Sequence, residues 1–258
     1  MISIGKGIIM IRGLYISSTG MITQTKKMDT VTNNLANVET KGYKSDKLLS
    51  RSFNDMLIER INDPAVVNVT QAIGPLNSGI HIDEVYTSFE QGPIENTGNQ
   101  TDLAILGDGF FVVDTPNGIR YTRAGNFIVD AEGYLSTNEG NRVLSQNGPI
   151  YIGSGKFTVT ENGIVQTENN NYRLRIAAFA NNGTLRKEGS NLYYNYEGQP
   201  ELQSNAKISQ GALEGYNVDI ASSVIEMINI SRNFESNQSI IKMLDSSLNK
   251  AVNEIGKV

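Results

Sequence analysis

The sequence predicts an α+β protein in which long N- and C-terminal helices pair as an α-helical coiled-coil domain and flank a β-rich middle of many short strands. One observation for the helices is that apolar residues recur at alternating steps of three and four near both ends of the 258-residue chain. The observation for the strands is a change to period two in the middle, with frequent Gly and Asn turns. A chain of this length can bury a substantial core.

The C-terminal helix is predicted over residues 218–255, where neither Gly nor Pro occurs. At about 1.5 Å per residue it would extend about 57 Å. Twelve of its 38 residues are Ser or Asn, which are mediocre helix formers, so we expect the helix to depend on partners. An amphipathic helix lying on its own core is the alternative. The seam comprises Ile220, Met227, Ile230, Phe234, Ile241, Leu244 and Leu248, with Ser223 and Asn237 as polar members.

The N-terminal helix is predicted over residues 11–37. Its seam comprises Leu14, Met21, Met28 and Leu35, with Ser18, Thr25 and Thr32 between them. Because the pattern matches that of the C-terminal helix, we expect the two termini to lie together. Residues 1–9 are too short and weakly organised for a cleaved signal peptide, and no apolar run is long enough to span a membrane.

Residues 45–61 also carry apolar residues at helical spacing, which predicts a short third helix. Strand periodicity then begins at Ile80 and shifts register before Phe89, as a bulge would produce. Residues 102–113 predict a buried strand, a glycine turn and a second strand, and Pro116-Asn117-Gly118 predicts a hairpin. The pattern of residues 127–137 recurs at 157–167, which we interpret as two hairpins that share turn chemistry.

Composition excludes several classes of function. The net charge of −5 gives no indication of nucleic-acid binding. The absence of cysteine excludes disulfides, thiolate chemistry and a zinc site of His and Cys. His81 is the single histidine, and no Gly-x-Ser-x-Gly elbow accompanies it. The sequence therefore predicts no catalytic residue, no metal site and no cofactor.

Two further patterns suit a structural role better than a chemical one. Paired carboxylates among Asp102, Asp108, Asp114 and Asp130 would suit glycan hydrolysis, but most adjoin Gly or Asn, where Asp is typical of turns. Gly107-x-Gly109 lacks the third glycine of a dinucleotide fingerprint and is followed by a strand pattern.

The end of the first helix carries a distinctive segment. Three asparagines fall within five residues, and a positive-φ glycine is expected where the chain leaves the helix. This segment resembles the N-terminal signature of the bacterial flagellar axial proteins, which are the rod, hook and hook-associated proteins. The signature residues are Asn33, Asn34, Leu35, Ala36, Asn37 and Val38, followed by Gly42, Tyr43 and Lys44. Members of this family typically begin where Met10 stands, so residues 1–9 are an extra leader or Met10 is the true start.

Two further blocks strengthen the resemblance. Gly107, Gly109, Phe110 and Phe111, with Tyr121-Thr122-Arg123-x-Gly125, are similar to the core motif of rod and hook proteins. Gly211-x-Leu213-Glu214, Asn217-Val218 and Arg232-x-Phe234-Glu235 are similar to the C-terminal signature. The three blocks follow the family's order along nearly the whole chain.

The resemblance implies a structural subunit of the flagellar basal-body rod, which assembles into a hollow helical shaft that transmits torque. Residues 10–45 and 217–258 would form an inner, channel-lining domain, and residues 91–204 an outer β-rich domain. Residues 46–90 and 205–216 would connect them. Within the family, the chain length favours a rod subunit over a hook-type subunit. Because Phe53–Leu57 resembles a segment of the distal rod proteins, the distal rod is favoured over a proximal rod.

The implied partners are copies of the chain itself, other flagellar rod and hook proteins and the flagellar type III export apparatus. Nucleic acid, small-molecule substrates and direct membrane insertion are not expected. The implied location is the extracytoplasmic basal body, reached without signal cleavage. A secreted coiled-coil binding module and a glycan hydrolase are the alternatives from other classes.

Overall fold

A computed structural model describes residues 3–54, 56–60, 71–153, 155–204 and 206–255. These residues form two long helices, α1 (Ser3–Ala36) and α2 (Ile220–Ile255), and 21 strands. The chain divides into two compact units. Unit 1 comprises Met1–Asn33, Asp46–Tyr86 and Ile220–Val258, and unit 2 comprises Asn34–Ser45 and Thr87–Asp219.

The first twelve strands in chain order are β1 (Asp46–Ser52), β2 (Met56–Arg60), β3 (Gln71–Leu76), β4 (Ile80–Thr87), β5 (Ile94–Asn96), β6 (Leu103–Leu106), β7 (Phe110–Thr115), β8 (Gly118–Thr122), β9 (Ile128–Val129), β10 (Leu135–Ser136), β11 (Arg142–Ser145) and β12 (Gly148–Pro149). The remaining strands are β13 (Thr158–Val159), β14 (Ile164–Gln166), β15 (Asn171–Arg173), β16 (Ile176–Ala178), β17 (Leu185–Gly189), β18 (Leu192–Asn195), β19 (Leu202–Gln203), β20 (Lys207–Gln210) and β21 (Ala212–Glu214). A short 3₁₀ helix, Asn182–Thr184, precedes β17.

Both long helices were predicted, and both approach each other within unit 1 at glycines of α1. A Cβ atom added to Gly13 would lie 3.1 Å from Leu244 Cδ1, and one added to Gly20 would lie 3.0 Å from Asn237 Nδ2. The two contacts are seven residues apart on each helix. Because the earlier residue of α1 meets the later residue of α2, the two helices are antiparallel. Small residues on α1 therefore leave room for longer side chains of α2.

The predicted coiled-coil domain is nevertheless wrong. The helices share their compact unit with the strands β1–β3 and most of β4, so they form no separate helical domain. The predicted α1 seam is also incomplete, because Ser18, Thr25 and Thr32 are exposed. Gly13 and Gly20 of α1 meet α2 where a coiled coil would place apolar side chains that fill holes on the partner.

The predicted helix over residues 45–61 is also wrong, because this stretch contains β1 and β2. β1 forms a two-stranded sheet with β4, and β2 pairs with β3 in antiparallel register. The spacing of Leu48, Leu49 and Phe53 suits a helix locally, but pairing with β4 is a contact with a distant part of the sequence. Tertiary context commonly overrides weak local preferences of this kind.

His81 lies in an aromatic group of unit 1 rather than in a catalytic arrangement. Its ring is centred 5.0 Å from that of Phe53, which in turn lies 6.5 Å from that of Tyr15. The backbone of Phe53 is fixed by Asn77, whose Nδ2 donates to the Phe53 carbonyl at 2.7 Å, and by the carbonyl of Gly79 at 3.0 Å. The histidine thus packs as a ring against its neighbours.

Unit 2 is built around a sheet with the path β17-β18-β8-β7-β11-β10-β9, to which β12, β16 and β19 add at the sides. β13, β14 and β15 form a three-stranded sheet, and β6–β20 and β5–β21 form antiparallel pairs. Strand β7 is fully buried over its first four residues, as the predicted apolar run requires. Adjacent residues of β7 face different cores, because side chains alternate along a strand.

Phe111 packs in the larger core, where its ring meets that of Phe127 edge-on at 5.0 Å. Phe110 packs in the smaller core with Tyr121, Phe179 and Tyr193. Burying two adjacent phenylalanines on opposite faces of one strand removes a large apolar area from water on both sides. The larger core comprises Leu103, Ile105, Phe111, Val113, Phe127, Leu135, Val143, Ile150, Ile152, Phe157, Val159, Val165, Leu174, Ile176 and Ile208.

The predicted hairpins are present. β7 and β8 pair antiparallel up to Thr115 and Gly118. The two similar hairpins also share their turn: Gly133 N donates to Asp130 O at 3.0 Å, and Gly163 N donates to Thr160 O at 2.9 Å. Both glycines have positive φ, 88° and 76°. The recurring sequence pattern therefore encodes the same turn twice.

The phenol of Tyr121, on β8, yields a prediction about alkaline pH. It donates to Glu201 Oε1 at 2.6 Å, while Arg175 Nη2 binds Glu201 Oε2 at 2.6 Å. Burial, followed by the hydrogen bond to the Glu201 carboxylate, raises the pKa of Tyr121 well above its usual value of 10.0. The neutral phenol is thus favoured in the folded chain, and this stabilisation is fully present below pH 10 and lost as the pH rises further.

We therefore expect the free energy of unfolding to fall more steeply above about pH 10 in the native chain than in Tyr121→Phe. Near neutral pH the variant should lose about 1.5–3 kcal/mol, the typical contribution of a hydrogen bond to a charged group. Urea unfolding followed by circular dichroism at several pH values measures both. Parallel pH profiles for the two proteins would contradict the prediction.

Candidate functional site

The signature segment after α1 folds back on the helix end. Tyr43 Oη donates to Asn34 Oδ1 at 3.0 Å in a buried contact, and Thr40 N donates to Asn37 O at 3.0 Å. Gly42 has φ of 69°, and a Cβ there would lie 2.6 Å from Ala124 N. The glycine predicted from the helix-exit pattern is thus required both by backbone conformation and by close approach.

The predicted signature residues differ in their surroundings. Within the N-terminal segment, one set is buried, comprising Asn34, Gly42, Tyr43 and Lys44. A second set is half-buried, comprising Leu35, Asn37 and Val38, and Asn33 and Ala36 are exposed. In the middle block, Gly109, Phe110 and Phe111 are buried and Gly107 is exposed.

One charged residue from each signature block meets in the interior of unit 2. Lys44 Nζ lies 2.6 Å from Glu214 Oε1, and Arg123 Nη1 lies 3.1 Å from Glu214 Oε2. The side chains of Lys44 and Glu214 are completely buried, and that of Arg123 is 3% exposed. We call Lys44, Arg123 and Glu214 the charge cluster.

Backbone groups complete the charge cluster. Lys44 Nζ donates to Glu90 O at 2.6 Å, Arg123 Nη2 donates to Gly107 O at 2.7 Å, and Gly92 N donates to Glu214 Oε1 at 3.0 Å. Gly92 also allows close packing, because a Cβ there would lie 2.5 Å from Gly215 O. The cluster therefore joins segments from the start, middle and end of unit 2.

The electrostatic balance of the cluster is two cations against one anion. Burial is the main influence on Lys44 and lowers its pKa below 10.5, while the Glu214 carboxylate opposes this shift. Buried charges without a partner are very unfavourable. Glu214 is therefore the residue that makes both buried cations tolerable.

Lys44 is one of the predicted signature residues, whereas Arg123 and Glu214 are not among the predicted site residues. A signal was present: each of the three blocks holds a charged residue beside residues that become buried. Glu214, for example, ends a strand whose other residues, Ala212 and Leu213, are buried. A carboxylate on such a strand requires a cation nearby.

The predicted helix seam lies on the less exposed side of α2. Ile230 is only 3% exposed, and Met227, Phe234, Ile241, Leu244 and Leu248 are half-buried, whereas Ile220 is 42% exposed. On α1 the predicted residues Leu14, Met21, Met28 and Leu35 are half-buried. The most buried α1 residues within unit 1 are instead Ser17, Thr23 and Val31.

Large apolar side chains also remain exposed on both helices. On α2 these include Ile225, Ile228 and Met243, and on α1 they include Tyr15 and Ile22. Ile225 and Met243 are each about 60% exposed and stand 18 residues apart, which is five turns, so they share one face of α2. Exposed apolar patches of this kind mark interaction surfaces.

Two of the aspartates considered for glycan hydrolysis make local hydrogen bonds. Asp102 accepts from Thr97 Oγ1 at 2.6 Å, and Asp130 Oδ1 accepts from Tyr134 N at 2.8 Å, as turn residues do. Within the described ranges, no group of three or more His, Asp or Glu side chains is arranged to hold a metal ion. Among the same residues, neither helix combines the length and apolar character needed to cross a membrane.

Comparison with known proteins agrees with this architecture. Residues 14–44 match the family described as flagella basal body rod protein, and residues 104–167 match the flagellar hook protein FlgE/F/G D1 domain. Residues 209–254 match the flagellar basal body rod FlgEFG protein C-terminal family. The charge cluster draws Lys44, Arg123 and Glu214 from these three matched segments in turn.

Relatives match over almost their whole length. The chain is 35% identical to the flagellar basal-body rod protein FlgG of Bacillus subtilis, covering 95% of this chain and 99% of that protein. It is 34% identical to the hook-basal body complex protein FlhO of the same organism, covering 96% and 100%. It is 33% identical to the rod protein FlgF of Caulobacter vibrioides, covering 95% and 98%.

The chain has two terminal helices with exposed apolar faces and a β-rich body, and segments of both match families of flagellar rod and hook proteins. These features define an axial protein of the bacterial flagellum. The chain belongs to the flagellar basal-body rod protein family. The predicted family and function, a structural subunit of the rod in the flagellar basal body, are thereby confirmed.

Removing the anion of the charge cluster should strongly destabilise unit 2. Glu214→Gln keeps the size of the side chain but leaves two buried cations without a counter-charge. We expect a loss of about 3–5 kcal/mol in the free energy of unfolding. Urea unfolding monitored by tyrosine fluorescence measures it.

Glu95→Gln is the matched control, because Glu95 pairs with Lys41 at 2.5 Å in the same region but is half exposed. An exposed pair of this kind should contribute less than about 1 kcal/mol. Similar losses in both variants would show that the buried cluster has no special weight.

Proposed function

We propose that this chain is a distal-type rod subunit that polymerises through its terminal helices into a shaft and has no enzymatic activity. Membership of the family supports assembly with copies of itself and with other flagellar rod and hook proteins. The observation that carries the proposal is the exposed apolar surface on both terminal helices. The resemblance of residues 53–57 to distal rod proteins supports the distal position.

The apolar residues of α2 lie on two faces, one that contacts α1 and one that is exposed to solvent. Leu244 approaches α1 at Gly13, whereas Ile225 and Met243 lie on a face exposed to solvent. An exposed strip on a helix 36 residues long gains stability only when other protein covers it. Neighbouring copies of the same chain are the partners that the family provides.

Repeated contacts of this kind suit an open polymer. Helices from the two ends of the chain present different surfaces, so each copy can offer one surface to the copy before it and another to the copy after it. Contacts between unlike surfaces continue into a filament unless the rotation closes a ring. A shaft results, and its function is mechanical.

We further propose that the chain is exported through the flagellar type III apparatus before its helices are stably folded. The helices have marginal local stability: α2 is rich in Ser and Asn, and α1 contains Gly13 and Gly20 in its interior. Thr19, Thr23 and Thr25 of α1 bond back to carbonyls three or four residues earlier, which competes with the helix. The cost of ordering would be met when neighbours cover the helices.

The decisive experiment is complementation of a strain that lacks the gene. The native chain should restore motility and rods in isolated basal bodies, whereas Ile225→Asp combined with Met243→Asp should leave them without a complete rod, because two charges would occupy the apolar contact. Electron microscopy of basal bodies is the measurement.

Ile119→Asp is the control, since Ile119 is 40% exposed and belongs to β8 of unit 2, not to either terminal helix. We expect it to restore rods. Complete rods in the strain without the gene would refute the rod assignment, and complete rods with the helix variant would refute assembly through this face.

Amide hydrogen exchange on dilute monomer tests the coupling of helix order to assembly. We expect most amides of α1 and α2 to exchange rapidly, because their outer faces lack partners, while β7 and β8 stay protected in the core of unit 2. In assembled rods the helix amides should become protected. Strong protection of both helices in the monomer would contradict ordering on assembly.

A further inference from the structure

The chain passes between the two compact units four times, after residues 33, 45, 86 and 219. In unit 2, Asn34 and Ser45 border two of these crossings, and Ser88 and Asn217 lie one and two residues from the other two. They come from three distant parts of the sequence. Force that is carried along the polypeptide from the helices enters unit 2 through these four segments.

Asn217 connects three of the four segments by hydrogen bonds of its side chain. Its Oδ1 accepts from Ser45 N at 2.7 Å, and its Nδ2 donates to Ser88 O at 2.8 Å and Glu90 O at 3.1 Å. Its backbone N also donates to Tyr43 O at 3.4 Å. The amide thus uses its acceptor and both of its donor hydrogens on segments that leave the unit.

Other bonds join the same segments. Ser88 N donates to Ser45 O at 2.8 Å, and Tyr43 Oη donates to Asn34 Oδ1 at 3.0 Å, which brings in the end of α1. Ser45 and Ser88 are both buried. We call Asn34, Tyr43, Ser45, Ser88, Glu90 and Asn217 the exit network.

The charge cluster adjoins the exit network. Glu90 O accepts from Lys44 Nζ as well as from Asn217 Nδ2. Lys44 stands between two members of the network, Tyr43 and Ser45, and Glu214 lies three residues before Asn217. The exit network is therefore linked to the charge cluster, whose side chains are almost completely buried.

We propose that Asn217 is a positioning residue for force transmission, on the basis of the rod function proposed above. Its hydrogen bonds hold the crossing segments together, so that a force on the helices is distributed over several segments and no single segment carries all of it. Without its amide, the segments of Ser45 and Ser88 lose three side-chain hydrogen bonds to the segment that leads to α2. The Asn217 N–Tyr43 O bond and the charge cluster still join them, but with fewer bonds the segments move more freely relative to one another.

The test compares Asn217→Ala with Gln210→Ala in the strain that lacks the gene. Gln210 is the matched control because it is half-buried and also makes three side-chain bonds, to Val159 N at 2.9 Å, Gln100 O at 2.8 Å and Phe157 O at 3.3 Å. These bonds join segments inside unit 2 that do not leave it. Both variants lose three hydrogen bonds, so their urea midpoints should fall by similar amounts.

The discriminating measurement is mechanical. Isolated hook–basal bodies are passed through a narrow orifice at fixed shear, and broken rods are counted by electron microscopy. We expect the broken fraction to rise several-fold in Asn217→Ala and to stay near the native value in Gln210→Ala. Asn217→Asp, which keeps the acceptor for Ser45 N but loses both donors, should fall between them.

Equal breakage in Asn217→Ala and Gln210→Ala would overturn the positioning role while leaving the rod function intact. If Asn217→Ala gives no rods for lack of folding, Asn217→Asp decides in the same assay, and native-level breakage there overturns the proposal. Complete rods in the uncomplemented strain would instead refute the proposed function itself.

Discussion

The organisation of unit 2 depends on one buried carboxylate. Glu214 is the shared counter-charge of Lys44 and Arg123, and it also accepts the amide of Gly92. Burying three charged groups is unfavourable unless each is paired and hydrogen-bonded. The loops that supply Glu90 O and Gly107 O must therefore converge on the same point. Specific geometry around the cluster is a consequence of this electrostatic requirement.

Packing of the apolar cores also constrains the surroundings of the charge cluster. β7 runs between two cores, and Phe110 packs under the guanidinium of Arg123, whose Cζ lies 5.4 Å from the ring centre. Apolar burial supplies most of the favourable free energy of such a domain, but it is non-directional. The charge cluster adds direction, because Glu214 must reach both Lys44 Nζ and Arg123 Nη1 at hydrogen-bond distance.

Local signals account for what could be predicted from the sequence. The two helices follow from uninterrupted periodicity, and the hairpins follow from Gly and Asn at turn positions, such as Gly133 and Gly163. The prediction of the fold class was wrong where contacts between distant parts of the sequence decide the structure. The coiled-coil interpretation assumed that apolar periodicity on α1 faces α2, but Gly13 and Gly20 make the approach. Residues 46–52 and 56–60 form strands because β4 and β3 supply pairing partners that no local pattern reveals.

The candidate site shows the same limit. The resemblance placed Lys44, Arg123 and Glu214 in three separate motifs, and nothing in their spacing indicates that they meet. Only burial makes the meeting necessary, and burial is a property of the whole unit. Asn217 is harder still to recognise, since an asparagine before a helix is ordinarily interpreted as a cap.

The separation of Lys44 and Glu214 along the chain has a consequence for how the protein is made. They stand 170 residues apart, so a chain that has been synthesised or threaded through a channel only as far as residue 213 contains both cations and lacks their anion. Contacts between such distant residues form slowly, because a long loop must close first. Unit 2 therefore cannot complete its fold until the chain has emerged at least as far as Glu214. A chain interrupted before that point stays incompletely folded, and chaperones and proteases can bind it.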